Sequence, residues 1–165
     1  MKPKDIKFIA ISEQGPEIWQ KFAHVEYSAS QKLLPIDKST VHQLNESEMY
    51  LYHERYYTLP ELTDYKEEGI NYAFAAVLND NPAEILGFLS GKLFIRERVA
   101  SVNALYVLGD LQRKKLHIGK KLLKAAEKLA KRKGICEMSL TATETAQNFY
   151  IKMGFVNRWN MHKRL

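Results

Sequence analysis

Apolar and polar positions through the middle of the chain predict three consecutive β-strands. The first two are residues 72–78 and 85–95, and the segment between them, residues 79–84, is rich in the turn formers Asn, Asp and Pro. An antiparallel hairpin is therefore predicted. After a turn at residues 96–98, the run 102–108 predicts the third strand.

The next segment has the period of a helix rather than that of a strand. An apolar stripe recurs at helical spacing and consists of Leu122, Leu123, Ala126, Leu129 and Ala130. Gly134 follows it at the position of a C-terminal cap, and residues 136–140 then predict another strand. A strand, helix, strand passage of this length predicts a right-handed crossover between parallel strands, so the sheet should be mixed.

The two ends of the chain complete the predicted fold. Residues 6–11 predict a first strand, and the apolar residues Ile18, Phe22 and Val25 predict a helix that begins near Pro16. Ser39 would cap a second helix, whereas residues 50–68 show no clear period. Residues 143–153 predict a short helix, and residues 155–161 predict a last strand. The whole chain, residues 1–165, is expected to form one α/β domain with hairpins first and a crossover second.

Composition excludes several classes of protein. With 45% hydrophobic residues the chain is not disordered, and no apolar run approaches the roughly 20 residues that span a bilayer. The first residues contain no apolar signal core, so a soluble protein of the cytoplasm is expected. Cys136 is the only cysteine, which leaves no cysteine cluster for zinc, and no metal site is predicted. We expect Cys136 to be buried at the start of its strand.

The net charge of +6 is unevenly distributed. Residues 113–133 contain ten Lys or Arg residues and a single acid, Glu127. The lysines fall on the polar side of the predicted helix, where they would be solvated or attract a polyphosphate. Nucleic acid is the least favoured partner, because no aromatic residues are interleaved with the basic ones to stack on bases.

A strand that runs into a basic, glycine-bearing turn and then into a helix predicts an anion site. Residues 101–108 form the strand and residues 112–119 form the turn. The first amides of the following helix have no partner within the helix, and they coincide with the positive end of its dipole and with lysines. A phosphate-bearing ligand is therefore expected.

Three segments together resemble the acetyl-CoA signature of the GCN5-related N-acetyltransferases. They are Leu105-Tyr106-Val107, the turn that ends in Ile118-Gly119-Lys120, and the ending Phe149-Tyr150-x-Lys152-x-Gly154-Phe155, which is the most specific. The resemblance covers roughly residues 72–156. It implies a mixed central sheet of about six or seven strands flanked by helices. It also implies an enzyme that transfers the acetyl group of acetyl-CoA to an amine by direct attack within a ternary complex.

The same resemblance implies roles for individual residues. The strand end would hold the pantetheine arm, the turn and helix start would bind the pyrophosphate, and Tyr150 would be the general acid that protonates the departing thiolate. Asn148 would reach the amides of the cofactor. The cofactor-binding set is Leu105, Tyr106, Val107, Gln112, Lys114, Lys115, His117, Ile118, Gly119, Lys120, Asn148 and Lys152.

The turn departs from the family pattern at one glycine. Counted back from Gly119, Lys114 stands in the first position of the pattern and His117 in that of the first glycine. Alternatively Gln112 takes the first position, and the turn is then two residues longer than usual. Glycine permits positive φ and close approach to a phosphate, so the departure predicts a reshaped site. His117 could instead donate a hydrogen bond to a phosphate oxygen.

The sequence alone identifies neither the acceptor amine nor the general base. Glu26, Glu54, Glu97 and Glu144 are candidate bases, and His24, His42 and His53 are equally open. The acidic segment at residues 46–68 would suit a cationic acceptor, such as a polyamine, an aminoglycoside or a lysine side chain.

Two other classes of function remain compatible with the sequence. One is a non-catalytic acyl-CoA-binding module, and the other is a nucleic-acid-binding module on the same fold. Neither requires a tyrosine at position 150, so the ending of the signature favours the enzyme. The last strand, residues 159–165, would form a sheet edge and could pair with a second copy in a homodimer.

Overall fold

The computed structural model describes residues 5–15, 17–18, 21–22, 24–26, 69–112, 116–158 and 160–165. The predicted cap at Ser39 and the aperiodic residues 50–68 lie outside the described residues, as do Lys114 and Lys115. Within the described parts of the chain, no helix is both long enough and apolar enough to cross a membrane.

The described residues form a seven-stranded mixed sheet, which confirms the predicted architecture. Its spatial order is β1-β2-β3-β4-β5-β7-β6. The β2–β3 hairpin is antiparallel, as predicted, and among the strands of the described residues only β4 and β5 pair in parallel. The strands are β1 Ile6–Ala10, β2 Ile70–Leu78, β3 Ile85–Phe94, β4 Val99–Val107, β5 Glu137–Leu140, β6 Val156–Arg158 and β7 Asn160–Arg164.

Helices cover the sheet and connect its strands. The crossover helix α2 is Ile118–Arg132, and it follows the short helix α1, Gly109–Gln112. Helix α3, Gln147–Lys152, continues from a 3-10 turn at Glu144–Ala146. A second 3-10 turn, Ile11–Glu13, follows β1, and the described residues between 17 and 26 are helical, as predicted.

Helix α2 follows the predicted pattern. Leu122, Leu123, Ala126 and Ala130 are buried against the sheet, whereas the lysines between them are exposed. Gly134 lies just past the helix end with φ of +73°, a left-handed conformation that glycine adopts without steric cost. The apolar stripe and the terminating glycine therefore account for both the position and the length of this helix.

The core lies on both faces of the sheet. One cluster packs α2 and α3 against β2 to β5 and contains Leu89, Leu122 and Met138. The other packs the N-terminal segment on the opposite face, where the ring of Phe22 meets that of Phe88 edge-on at 5.5 Å. Strand β3 is buried on both faces, which explains its nearly continuous apolar sequence.

The prediction of one last strand at residues 155–161 was wrong. The chain reverses between Arg158 and Asn160, which pair with each other in an antiparallel β6–β7 hairpin. Strand β7 lies between β5 and β6, so the described sheet ends at β6 and not at the predicted edge formed by residues 159–165. The sequence at residues 157–160 contains two Asn residues but neither Gly nor Pro, so its turn signal is weaker than that of residues 79–84.

Cys136 is exposed, which contradicts its predicted burial. It precedes β5, where the chain leaves α2, and its backbone N–H donates to the carbonyl oxygen of Arg98 at 3.0 Å. Its Sγ faces the same oxygen at 3.5 Å. The core positions on either side of it are Ile135 and Met138.

Gly91 should be irreplaceable at the β3–β4 contact. A Cβ there would overlap the carbonyl oxygen of Ser101 and come within 2.7 Å of the Tyr72 hydroxyl, which donates to that same oxygen. Gly91→Ala should lower the free energy of unfolding by about 3 kcal/mol, because backbone must move to relieve the overlap. Urea denaturation measures this loss. Gly15→Ala is the control, since a Cβ there meets nothing within 4 Å, and equal midpoints for the two variants would contradict the prediction.

Candidate active site

The pairing of strands β4 and β5 stops next to the predicted ligand site. Their parallel pairing covers four positions, from Val99 opposite Glu137 to Val102 opposite Leu140. Strand β5 ends there, whereas β4 continues alongside β3 as far as Val107. Leu105 and Tyr106 thus have strand partners on the β3 side and no ladder partner in β5. We call this stretch of β4, which has no ladder partner in β5, the opening beside β4, because an extended ligand could pair with it.

A β-bulge lies where the two strands separate. The β3–β4 register shifts between Ser90 and Gly91, which leaves Asn103 as the additional residue of β4. Bulges bend a strand and increase its local twist. The Ser101 hydroxyl donates to the Asn103 side-chain oxygen at 3.0 Å and spans the bulge. The bulge thus lies one residue past the last β4–β5 pair, Val102 and Leu140.

Gly119 brings the three separate parts of the signature together. A Cβ at Gly119 would lie 3.6 Å from the Phe149 ring, 3.8 Å from Val107 and 3.9 Å from Leu105. The first turn of α2 therefore packs directly on the end of β4 and on α3. Gly87 permits a second close approach, because a Cβ there would lie 2.7 Å from the Tyr106 carbonyl oxygen and 3.3 Å from Ile118.

His117 adopts the conformation for which glycine would be expected. It is the residue before α2, with φ of 55° and ψ of 30°, in the left-handed region. Histidine occurs there more readily than β-branched residues do. The side chain is exposed and makes no hydrogen bond to cap the helix. The turn thus keeps a glycine-like backbone although its glycine is missing.

Helix α2 begins at the open end of β4. Its first hydrogen bond runs from the Lys121 N–H to the His117 carbonyl oxygen at 3.0 Å. The preceding amides belong to the first turn, which offers N–H groups and positive dipole to an anion. Lys120 is exposed in the same turn. The opening beside β4 therefore leads to a place suited to phosphate.

Tyr150 is buried on α3 between two aromatic rings. The ring centroids of Phe149 and Phe155 lie 5.1 and 5.6 Å away, both edge-on. Burial raises the pKa of the Tyr150 phenol to about 12. Among the described residues, none accepts a hydrogen bond from its hydroxyl. Packing alone therefore holds this ring within the described structure.

The structure brings together some of the predicted site residues and separates others. Leu105, Val107, Ile118 and Gly119 meet at the open end of β4, whereas Tyr106 packs on the opposite face of the sheet against Phe88. The exposed members of the set are His117, Lys120, Asn148 and Lys152, and Gln112 ends α1.

Two residues of the junction were not predicted. Gly87 offered a signal, because glycine inside a strand often marks close backbone approach. Phe149 was part of the motif, but its contact with Gly119 depends on tertiary packing.

The candidate bases differ in their positions. Glu97 lies in the turn before β4, roughly 25 Å along the extended strand from Leu105. This distance excludes it from the opening. Glu144 and His24 are exposed, and Glu26 is partly buried. Glu54, His42 and His53 lie outside the described residues. Nowhere in the described parts of the chain do three or more His, Cys, Asp or Glu residues group as metal ligands would.

Comparison with known families identifies this arrangement. The family model of the acetyltransferase (GNAT) domain matches residues 71–157, just over half of the chain. The chain belongs to the GNAT acetyltransferase family. The matched region of this GNAT chain includes β2 to β5, α2 and α3, and so the whole junction around Gly119.

Solved structures share the fold at low sequence identity. PaiA N-acetyltransferase from Thermoplasma acidophilum, in complex with coenzyme A, is 20% identical, with a TM-score of 0.59 over 97% of this chain and 99% of that one. A GNAT acetyltransferase from Staphylococcus aureus Mu50 is 18% identical, with a TM-score of 0.64 over 97% and 99%. Tetrahymena GCN5 is 12% identical, with a TM-score of 0.62 over 96% and 95%. No curated protein sequence matched the chain.

Replacement of His117 tests the left-handed turn. His117→Gly should leave stability unchanged or raise it by up to about 1 kcal/mol, whereas His117→Val should lower it by about 1–2 kcal/mol, because a β-branched residue is strained at positive φ. Urea unfolding midpoints measure both changes. Lys124→Gly, within α2, is the control and should cost about 1 kcal/mol. Destabilisation by glycine at both positions would contradict the left-handed assignment.

The raised pKa of Tyr150 predicts a loss of stability at high pH. The folded phenol ionises at about 12, whereas an unfolded tyrosine ionises at about 10. The stabilising contribution is therefore complete below pH 10 and is lost as the pH rises towards 12. At pH 11, Tyr150→Phe should retain about 1 kcal/mol more of its neutral-pH stability than the wild type does. Urea unfolding from pH 8 to 11 measures the difference, and parallel curves would contradict it.

Proposed function

We propose that this GNAT chain transfers the acetyl group of acetyl-CoA to a primary amine, as one domain of residues 1–165. The observation that carries the proposal is the opening between β4 and β5, which ends at the left-handed turn and the start of α2. An extended, amide-bearing arm with phosphates at its far end fits this order of groups. The fold of PaiA, which binds coenzyme A, supports the same choice of ligand.

The binding roles follow the positions of the residues. Backbone groups of Leu105 and Tyr106, with Val107 at the strand end, would hold the pantetheine arm as a further strand would. The amides of Ile118, Gly119 and Lys120 would bind the pyrophosphate. Further polar contacts from the turn and from α3 would come from Gln112, Lys114, Lys115, His117, Asn148 and Lys152. The left-handed His117 supports a working turn despite the lost glycine.

The chemistry requires a proton donor for the leaving thiolate. Acetyl-CoA supplies an activated acyl group: the amine nitrogen bonds to its carbonyl carbon and loses a proton to water, and the bond from that carbon to sulfur breaks. Tyr150 is our candidate donor, because burial keeps its phenol protonated at neutral pH. A free thiol has a pKa near 8.5, so the transfer would be uphill by roughly 5 kcal/mol. The same apolar surroundings destabilise the thiolate and raise its pKa, which reduces this difference.

We propose a cationic amine as the acceptor. The acidic residues between positions 46 and 68 contrast with the basic helix of the cofactor half, and they would attract a polyamine or an aminoglycoside. One structure with the same fold is an aminoglycoside acetyltransferase from a soil metagenome in complex with sisomicin, 15% identical over 92% of this chain and 86% of that one, with a TM-score of 0.60. That match supports the fold, and the acidic segment supports the charge of the acceptor.

Acetyl transfer to a panel of amines tests the proposal. We expect turnover with spermidine or an aminoglycoside to exceed turnover with neutral and anionic amines. Tyr150→Phe should lower kcat by about 100-fold, within the range for general acid catalysis, with acetyl-CoA affinity retained. Ile151→Ala is the control, because that neighbouring side chain is exposed. Full activity of Tyr150→Phe would remove Tyr150 from the mechanism, and no transfer to any amine would contradict the proposed reaction.

A further inference from the structure

Lys163 links three parts of the structure around α3. From β7, its Nζ donates to the Glu127 carboxylate of α2 at 2.7 Å and to the Met153 carbonyl oxygen at 2.7 Å. The same Nζ lies 6.0 Å from the centre of the Phe155 ring. A Cβ at Gly154 would touch Cε of this lysine at 3.4 Å. One side chain therefore contacts each residue of the turn that ends α3.

This turn is bonded directly to Tyr150. The N–H groups of Met153 and Phe155 both donate to the Tyr150 carbonyl oxygen at 3.0 Å. The Phe155 ring also packs edge-on against the Tyr150 ring. Gly154 provides the left-handed conformation that closes the turn, with φ of +88°. A shift of the turn would therefore move both the backbone and the ring of Tyr150.

The Lys163–Glu127 ion pair is not explained by stability alone, because its desolvation offsets much of the attraction between the two charges. The side chains of Lys163 and Glu127 are only 22% and 13% exposed, so both charges lose much of their hydration. Apolar residues of similar size often serve stability as well as a buried pair does. What an apolar pair cannot do is hold the Met153 carbonyl oxygen, which needs a hydrogen-bond donor at that point.

We propose that the Lys163–Glu127 pair is a positioning device for Tyr150, one that fixes the end of α3 against α2 so that the phenol faces the reacting thioester. The inference rests on the proposed function. Lys163 touches neither substrate in this account and acts only through the turn and the Phe155 ring. Because the Tyr150 hydroxyl has no acceptor among the described residues, the turn and the flanking rings determine where it points.

A double-mutant cycle tests the device. Lys163→Met keeps the apolar stem and removes the donor, and it should lower kcat about tenfold, a part of what general acid catalysis supplies, with KM for acetyl-CoA within about twofold. Combined with Tyr150→Phe it should cause no further loss, because both changes remove the same effect. Lys163→Arg, which keeps a donor, should recover activity. Losses that multiply in the double variant, or an unchanged kcat in folded Lys163→Met, would overturn the proposal.

The matched control is a neighbouring side-chain contact on the same strand. His162 of β7 pairs with Glu137 of β5 at 2.5 Å, with side chains 32% and 36% exposed. This contact joins β7 to β5, and neither residue belongs to α3 or to the turn that ends it. His162→Ala should leave kcat unchanged. In combination with Tyr150→Phe, its effect on kcat should simply multiply with that of Tyr150→Phe. If Lys163→Met fails to fold, Glu127→Gln replaces it in the cycle. We expect Glu127→Gln to lower kcat by at least about threefold, with no further loss when it is combined with Tyr150→Phe. Losses in kcat that multiply in this double variant would overturn the proposal.

A second readout does not depend on activity. In protein labelled with 13C-tyrosine, the Tyr150 signal is assigned by its absence in Tyr150→Phe. We expect Lys163→Met to shift that signal and His162→Ala to leave it in place, and an unmoved signal in Lys163→Met would overturn the positioning role. If the Tyr150 signal shifts in Lys163→Met but Tyr150→Phe is fully active, the general-acid role of Tyr150 is contradicted, whereas its positioning by Lys163 is supported.

Discussion

The short contact between β4 and β5 is the constraint on which the rest of this structure depends. Strand β4 pairs with β3 through Val107, but its parallel pairing with β5 stops at Val102. Since the sheet is continuous on one side of β4 and interrupted on the other, strand-like hydrogen bonding remains available at one point inside a packed domain. Helix α2 begins at that point and adds its own first-turn amides. The end of the β4–β5 pairing and the helix start thus lie together at the candidate site.

The turn between α1 and α2 shows that backbone conformation can persist when the usual residue is lost. A glycine is the expected residue where φ is positive, and here His117 takes that conformation at φ of 55°. The surrounding structure holds it there, because Ile118 packs near Gly87 and Gly119 packs near Leu105 and Phe149. The packing of the helix start on β4 therefore holds the backbone of His117 in the left-handed conformation, although the residue is not glycine.

Sequence patterns predicted the elements that depend on local period. The β2–β3 hairpin, helix α2 and the parallel crossover all follow from alternation, an apolar stripe and a terminating glycine. The reversal between β6 and β7 was not predicted, because residues 157–160 offer two Asn residues but neither Gly nor Pro, a weaker turn signal than that of residues 79–84. The exposure of Cys136 also escaped prediction, since it depends on where β5 begins relative to the end of α2.

In the candidate site, too, the local motif could be predicted from the sequence and the long-range contacts could not. Its motif residues could be named from the sequence, and the structure brings four of them together around Gly119. The bulge at Asn103, next to the last β4–β5 pair, leaves no pattern in a strand of mixed apolar and polar residues. The Lys163–Glu127 contact joins residues 36 positions apart, and nothing local to either residue indicates it. Long-range geometry therefore supplies what the motif leaves undetermined.

The most direct test of this account is amide hydrogen exchange of the chain with and without acetyl-CoA, read on the peptide that contains Leu105 and Tyr106. We predict that acetyl-CoA slows exchange there and in the first turn of α2, whereas ATP, which lacks the pantetheine arm, slows it only at the helix start. Binding of acetyl-CoA without any protection of β4 would contradict the claim that the opening beside this strand is the cofactor site.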